Sequence, residues 1–344
     1  MNAVMKLKYA TGTSPRDQAG VTLVEIMVAL AIGSFLMIGA IQVYNQSRQA
    51  YVINESIARV QETAQFAMDT VEADLRLASN WGLQSRGTAI VGRSLAANAD
   101  PLGLGNASVN SCGNTWAFNL GRPLEGSNNN YALPCAAVGV GGAQPNSDVV
   151  TTRRATVAVM PLEAGRLQIQ SNRVQGQLFN NGAVPAGFQV PVPELPAPGD
   201  SETHNLLVNA YYVAADSDLI PGVPTLRRKM LSVAGGAAVI QDQEVAPGVE
   251  NMQLQFGVDV DADNTIDRYV DPGNPILTPG DPAFIAGAKI ITARIWLLIR
   301  SISPEVGLND TTNYAPGDIV LGVPTDSFRR LQVSKTILLR NARS

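Results

Sequence analysis

Histidine occurs once in this 344-residue chain, cysteine twice, and charged residues make up only 16% of it. That leaves too few ligands for a zinc centre and too few bases for Ser-His or Cys-His chemistry. Basic runs are missing as well. Lysine and arginine total 25 against 29 acidic residues, the net charge is −4, and no Lys/Arg-rich domain supports nucleic-acid binding. No glycine-rich phosphate loop follows a strand and opens a helix. No repeat with a period of about 20–50 residues is evident. Proline is absent between Pro15 and Pro101, and glycine between Gly39 and Gly82, so nothing in that interval breaks a helix. Elsewhere turn formers are plentiful. The 31 glycines and 21 prolines imply a loop-rich, β-rich body, and the length allows a sizeable core.

The first 20 residues carry Lys6, Lys8 and Arg16 against Asp17, a net +2 in a chain of negative charge. A short basic head before an apolar stretch marks a segment held on the cytoplasmic side while the downstream chain is translocated. The apolar stretch is VTLVEIMVALAIGSFLMIGAIQVY at 21–44, where Glu25 is the one ionisable side chain before Tyr44. As a helix it spans about 36 Å, against a bilayer core of about 30 Å. A secretory signal peptide would place its small residues after a shorter apolar run. Here Ala19-Gly20 precedes the run, which passes unbroken into an amphipathic pattern. A carboxylate inside a membrane span costs roughly 2.5–3.5 kcal/mol on insertion scales. Either Glu25 sits near the interface or is protonated, without a role, or it pairs with a cation at the same depth. The best available cation is the α-amino group of another copy of this segment, freed by a cut before Val21.

Beyond the span, Ala50, Ile53, Ile57, Val60, Ala64, Ala67, Val71, Leu75 and Ala78 recur at steps of three and four, one face of an α-helix. The charged residues lie largely off that stripe. The pattern predicts one helix from Val21 to Ser79, with its second half packed on a globular head. The run from 80 to 147 is rich in Gly, Asn, Ser and Ala and reads as a long loop-rich insertion. It holds Cys112 and Cys135, and a lone pair of cysteines in an exported domain predicts a disulfide. Strand-like runs lie at Asp148–Met160, Asn205–Ala214, Thr225–Val233, Val249–Val260, Lys289–Ser301 and Leu331–Leu339, with a Pro-rich connector, VPVPELPAPGD, at 190–200.

The expected fold class is α+β: a long N-terminal helix, membrane-spanning in its first half, packed on a mostly antiparallel β-sheet head. The expected segments are a leader over 1–20, a membrane and assembly helix over 21–44 and its amphipathic continuation over 45–80. A loop-rich, disulfide-containing region with the connector covers 81–200, and a β-rich C-terminal head covers 201–344. His204, alone in SETHNLL, reads as a surface or strand-end residue, because no oriented nucleophile accompanies it. Trp81, Trp116 and Trp296 read as packing residues. The short clusters Arg153-Arg154, Arg227-Arg228-Lys229 and Arg329-Arg330 read as solvated edges.

One motif suits a hard cation. Asp259, Asp261, Asp263 and Asp267 stand at positions 1, 3, 5 and 9 of a loop, and Thr265 at position 7 can offer its carbonyl. Asn264 replaces the usual glycine at position 6, where it tolerates the left-handed conformation. Val270 replaces the terminal glutamate, and Asp271 comes one place late. The spacing suits an incomplete calcium loop and equally a solvated acidic hairpin turn. No other cofactor is required by the sequence.

Gly20 followed by Val21-Thr22-Leu23-Val24-Glu25 and a long apolar helix resembles the class III signal of type IV pilins and type II secretion pseudopilins. The resemblance implies cleavage by prepilin peptidase between Gly20 and Val21, N-methylation of Val21, and an assembly role for Glu25 at the N-terminus of a neighbouring subunit. The first mature residue is usually Phe and here is Val. The tracts GVENMQLQFGVDVDADNTIDRYV (248–270) and FRRLQVSKTILLRN (328–341) resemble the PilW-type minor pilins. That likeness implies a structural subunit rather than an enzyme, one that helps prime pilus assembly in a tip complex. Its implied partners are other minor pilins, the major pilin, a tip adhesin and prepilin peptidase. The implied location is the bacterial inner membrane, with the head in the periplasm, and then the pilus. A J-type pseudopilin and a signal-anchored periplasmic enzyme are the alternatives.

Overall fold

The computed structural model describes residues 20–95, 99–189 and 200–343. The leader up to Ala19 and the Pro-rich connector at 190–199 lie outside the described residues. The chain divides into two compact units after Asn54. Helix α1 (Leu23–Arg76) is 54 residues long and continues from one unit into the other. In the first unit its apolar side chains are exposed, and the helix is long and apolar enough to cross a membrane.

In the second unit the stripe read from the sequence turns inward: Val60, Ala64, Ala67, Val71 and Leu75 are buried. The helix ends where Ser79 adopts a left-handed backbone (φ 68°) and the chain turns at Gly82 (φ 80°). A Cβ at Gly82 would lie 2.5 Å from the His204 ring, so both the backbone and the space require glycine there.

Twelve strands follow among the described residues: β1 (Ile90–Val91), β2 (Leu124–Ser127), β3 (Val149–Ala155), β4 (Ala164–Ser171), β5 (Gly176–Asn181), β6 (Glu202–Ala214), β7 (Thr225–Ala234), β8 (Ala237–Pro247), β9 (Val249–Asp259), β10 (Arg268–Val270), β11 (Lys289–Arg300) and β12 (Arg330–Leu338). A short helix, α2 (Asn114–Phe118), lies in the loop-rich region. The strands form two sheets. The larger runs β1-β5-β4-β6-β3-β2, with β7 added to β6 and β8 to β7; the smaller runs β10-β9-β11-β12. Every pairing is antiparallel except β1 with β5. The loop-rich region therefore does not stand apart, because β2 to β5 join β6 in one sheet.

Strand β6 organises the larger sheet. One of its edges takes β3 along Leu206–Tyr211; the other takes β4 at Glu202–Asn205 and β7 at Asn209–Ala214. Alternation puts Leu206, Val208 and Ala210 on one face and Tyr211 and Val213 on the other, and both faces are buried. The first face packs on Trp81, Trp116, Phe118 and Leu120. The second shares a core with the α1 stripe and with Met252, Leu254 and Phe256 of β9 and Ile295, Leu297 and Ile299 of β11. The second half of α1 thus packs against both sheets.

Two sequence expectations are corrected here. The basic clusters are not solvated edges: Arg153, Arg227 and Lys229 are buried. Arg153 donates to the Trp116 and Arg122 carbonyls and to Glu125. Arg227 and Lys229 meet Asp242, while Arg329 and Arg330 meet Glu305 and Glu250. Their counter-ions lie on other strands and loops, which a local reading does not see. His204 is at a strand end as expected but is buried. It sits between the Thr156 carbonyl (2.9 Å) and Glu202 (3.3 Å), where it closes a seam rather than facing solvent.

Candidate functional site

The start of α1 is built by Thr22 and Glu25. The Thr22 hydroxyl oxygen accepts the Glu25 N–H (3.2 Å). In return the Glu25 carboxylate accepts the Thr22 N–H (2.8 Å) and the Thr22 hydroxyl (2.9 Å). This reciprocal exchange is a capping box, which satisfies N–H groups that a helix start leaves without partners. It explains why α1 begins at Leu23. Both bonds from Thr22 go to Oε2, and Oε1 has no hydrogen-bond partner among the described residues. One carboxylate can therefore hold the helix start and still present an oxygen to a second cation. The T-x-x-E spacing was legible in the sequence, but only the charge of Glu25 drew attention there.

Val21 is exposed just ahead of the helix. A Cβ added at Gly20 would meet nothing within 4 Å. Space in the folded chain does not demand glycine at that position.

The acidic motif forms the β9–β10 hairpin turn. Asp259, Asp261 and Asp267 each bring an oxygen within 4.8 Å of the others. Asp263 is not in that group; its Oδ1 accepts the N–H and hydroxyl of Thr265 at 2.7 and 2.6 Å. Asp259, buried, accepts the Ala262 N–H (2.7 Å) and the Asn264 N–H (2.9 Å), and Asp267 accepts the Val260 N–H (2.7 Å). Asn264 is left-handed (φ 65°) as its side chain allows, and so is Ala262 (φ 67°). The turn thus holds itself by carboxylate-to-backbone bonds and gathers three carboxylates, a donor set that suits a hard cation.

Cys112 and Cys135 form a disulfide. It ties the α2 region to a loop in which the Tyr131 hydroxyl donates to the Cys135 carbonyl and the Val138 N–H donates to the Tyr212 hydroxyl.

Residues 15–41 match the family model described as "Prokaryotic N-terminal methylation motif", and residues 210–341 match "Type IV Pilus-assembly protein W". The first match covers Gly20, Val21 and Glu25; the second begins within β6 and runs through β12. Together these two matches support a type IV pilus minor pilin of the PilW type. No curated protein and no solved structure matches it. The matches point to a structural subunit rather than an enzyme. They also imply interaction with other pilus components and the membrane assembly machinery. The apolar α1 and the prepilin signal point to membrane anchoring.

Two residues that position this head were not found by sequence reasoning. Asp74, on the buried side of α1, accepts from Arg154 (2.9 and 2.7 Å), Asn209 (2.6 Å) and Tyr211 (2.5 Å). Asp148, buried ahead of β3, accepts the Asn129 N–H (2.8 Å) and the Leu254 N–H (2.7 Å), which joins the two sheets. Burial pushes the Asp148 carboxyl up to about 7, and Asp318 and Asp271 add to this against the two N–H donors. A signal existed for Asp74 alone: it falls inside the helical interval beside the apolar stripe.

Proposed function

We propose that this minor pilin is cut after Gly20, methylated on Val21 and carried into the pilus by α1, where it primes assembly in a tip complex. Its partners there are other minor pilins, the major pilin and a tip adhesin, with the head in the periplasm until export. The observation that carries this reading is the open Oε1 of Glu25, beside a helix start that the same carboxylate holds through Oε2. Cleavage before Val21 would free an α-amino group on each subunit, four residues ahead of this carboxylate. In a low-dielectric bundle an amine from one copy and Oε1 from the next would neutralise each other and relieve the cost of burying either charge. The apolar faces of neighbouring α1 helices would then pack side by side.

The direct test is the N-terminal mass of the protein from membranes with and without prepilin peptidase. A peptidase-dependent terminus at methylated Val21 supports the reading, and an intact leader or a cut beyond residue 35 overturns it. Glu25→Ala is expected to leave cleavage intact while lowering the subunit's incorporation into pili. Normal incorporation at normal cellular levels would refute the pairing role.

A further inference from the structure

The turn after α1 at Ala78 and Ser79, the 85–88 and 119–126 segments and the 273–290 segment line a cleft of about 540 Å³. Its size falls within the range of ligand-binding clefts. Nothing in the helix-mediated assembly scheme uses it. Much of its lining is apolar: Leu124, Phe256, Leu277, Phe284, Ile290 and Leu339. Ser85, Thr88 and Asn119 add polar groups to it. Arg86 is exposed and Lys289 half-buried at this cleft, and neither is paired with a carboxylate among the described residues. Glu125, the one acidic lining residue, is already committed to Arg153 and Arg122.

A strand edge also opens here. Arg153 N–H donates to the Pro123 carbonyl, and Leu124 lies opposite Thr152 in the β2–β3 ladder. Antiparallel geometry alternates hydrogen-bonded and non-bonded pairs. Leu124, which lines the cleft, therefore turns its N–H and C=O away from β3. Among the described residues neither group has a hydrogen-bond partner.

We propose that this cleft receives an extended, apolar peptide segment of a partner protein, with the backbone of that segment on Leu124 and a carboxylate of it between Arg86 and Lys289. Each part of the lining answers one part of such a peptide. The apolar lining takes alternate side chains, and the polar lining groups and the β2 edge take backbone groups. The two unpaired cations take an acidic side chain or a C-terminus. An acyl chain would satisfy the apolar lining and the cations but would leave the polar lining groups and the Leu124 edge without partners.

The test uses the full chain in lipid nanodiscs and a fluorescein-labelled peptide of alternating valine and threonine that ends in glutamate. Its companions are the same peptide with alternate amides N-methylated, and dodecanoate. Fluorescence anisotropy should show saturable binding of the parent peptide. Binding should weaken by about tenfold or more with Arg86→Glu combined with Lys289→Glu. It should weaken likewise with Phe284→Glu, and with the N-methylated peptide. Thermal melts of both variants establish that the head remains folded, and exchange of the Leu124 amide should slow when the parent peptide is bound. Absence of saturable binding would overturn the proposal. So would equal binding by the charge-reversed protein. Dodecanoate displacing a peptide whose N-methylated form binds as well as its parent would assign the cleft to acyl chains instead.

Discussion

Replacing Asp74 with alanine would remove the acceptor that four donor atoms share. Asp74 lies on α1, is 4% exposed, and receives two bonds from Arg154 on β3 and one each from Asn209 and Tyr211 on β6. Burial, and then the Asp74 carboxylate beside it, push the Tyr211 hydroxyl well above its ordinary pKa, so it stays a donor. In Asp74→Ala the Arg154 guanidinium would keep only its bond to the Ala155 carbonyl, while still largely buried. Breaking one side of a buried ion pair costs about 3–5 kcal/mol. Orphaned donors such as Asn209 and Tyr211 cost about 1–3 kcal/mol each, though these terms overlap and water reaches part of the site. A total near 4 kcal/mol is therefore expected. Urea unfolding of the full chain in detergent, followed by the fluorescence of the buried Trp81 and Trp116, measures it. Adding Arg154→Met should recover about 1–3 kcal/mol relative to additivity, because the stranded cation is then gone. A cost below about 1 kcal/mol for Asp74→Ala would refute the reasoning. Strict additivity of the pair would do the same.

The stability of the head should depend on pH through Asp148. Its carboxyl titrates near 7 in the fold against 3.8 for a free side chain, so the folded state holds an extra proton between those values. Its contribution is complete below about pH 4 and is lost as pH rises through about 7, a swing of up to about 4 kcal/mol. Melts from pH 4 to 8 should show this decline, and Asp148→Asn should flatten it. Replacing Cys112 and Cys135 with serine frees a 23-position closure and should lower stability by roughly 3 kcal/mol in the chain-entropy model. The same urea series measures that loss, and a shift of less than about 1 kcal/mol would argue against it. Calcium should slow amide exchange at Ala262 and Asn264, and Asp261→Asn should abolish the effect. Exchange indifferent to calcium would leave the β9–β10 turn held by its own carboxylates alone.

The long helix and the two-face strands were readable because their cause is local. An uninterrupted apolar stripe predicts α1 within three residues at either end. Continuous Val, Ile and Leu runs mark β3, β6, β7, β9, β11 and β12. Strands β4, β5 and β8 escaped notice for a physical reason. In β4, Gln168 and Gln170 occupy buried positions where an apolar pattern would be sought. They are satisfied there by Asn205, Ser201 and Thr203 on or beside β6. Strand β8 carries the polar run Gln241-Asp242-Gln243-Glu244 at its centre, where Gln241 and Gln243 face water. Partners far apart in sequence were equally out of reach, as Tyr211 stands 137 positions from Asp74. At the candidate sites the spacing of the four aspartates was visible. That Asp263 would spend its oxygen on Thr265 instead was a matter of turn geometry.

Glu72 and Asp74 are neighbours on one turn of α1, yet they hold different sheets. Glu72 pairs with Lys335 of β12, and Asp74 with β3 and β6. A single helical turn is therefore a rivet through both layers. A pull along the axis of α1, of the kind a growing or retracting fibre would exert, would load both attachments at once. Mechanical failure of this head would begin with withdrawal of that one turn, and single-molecule extension should register it as one rupture rather than two.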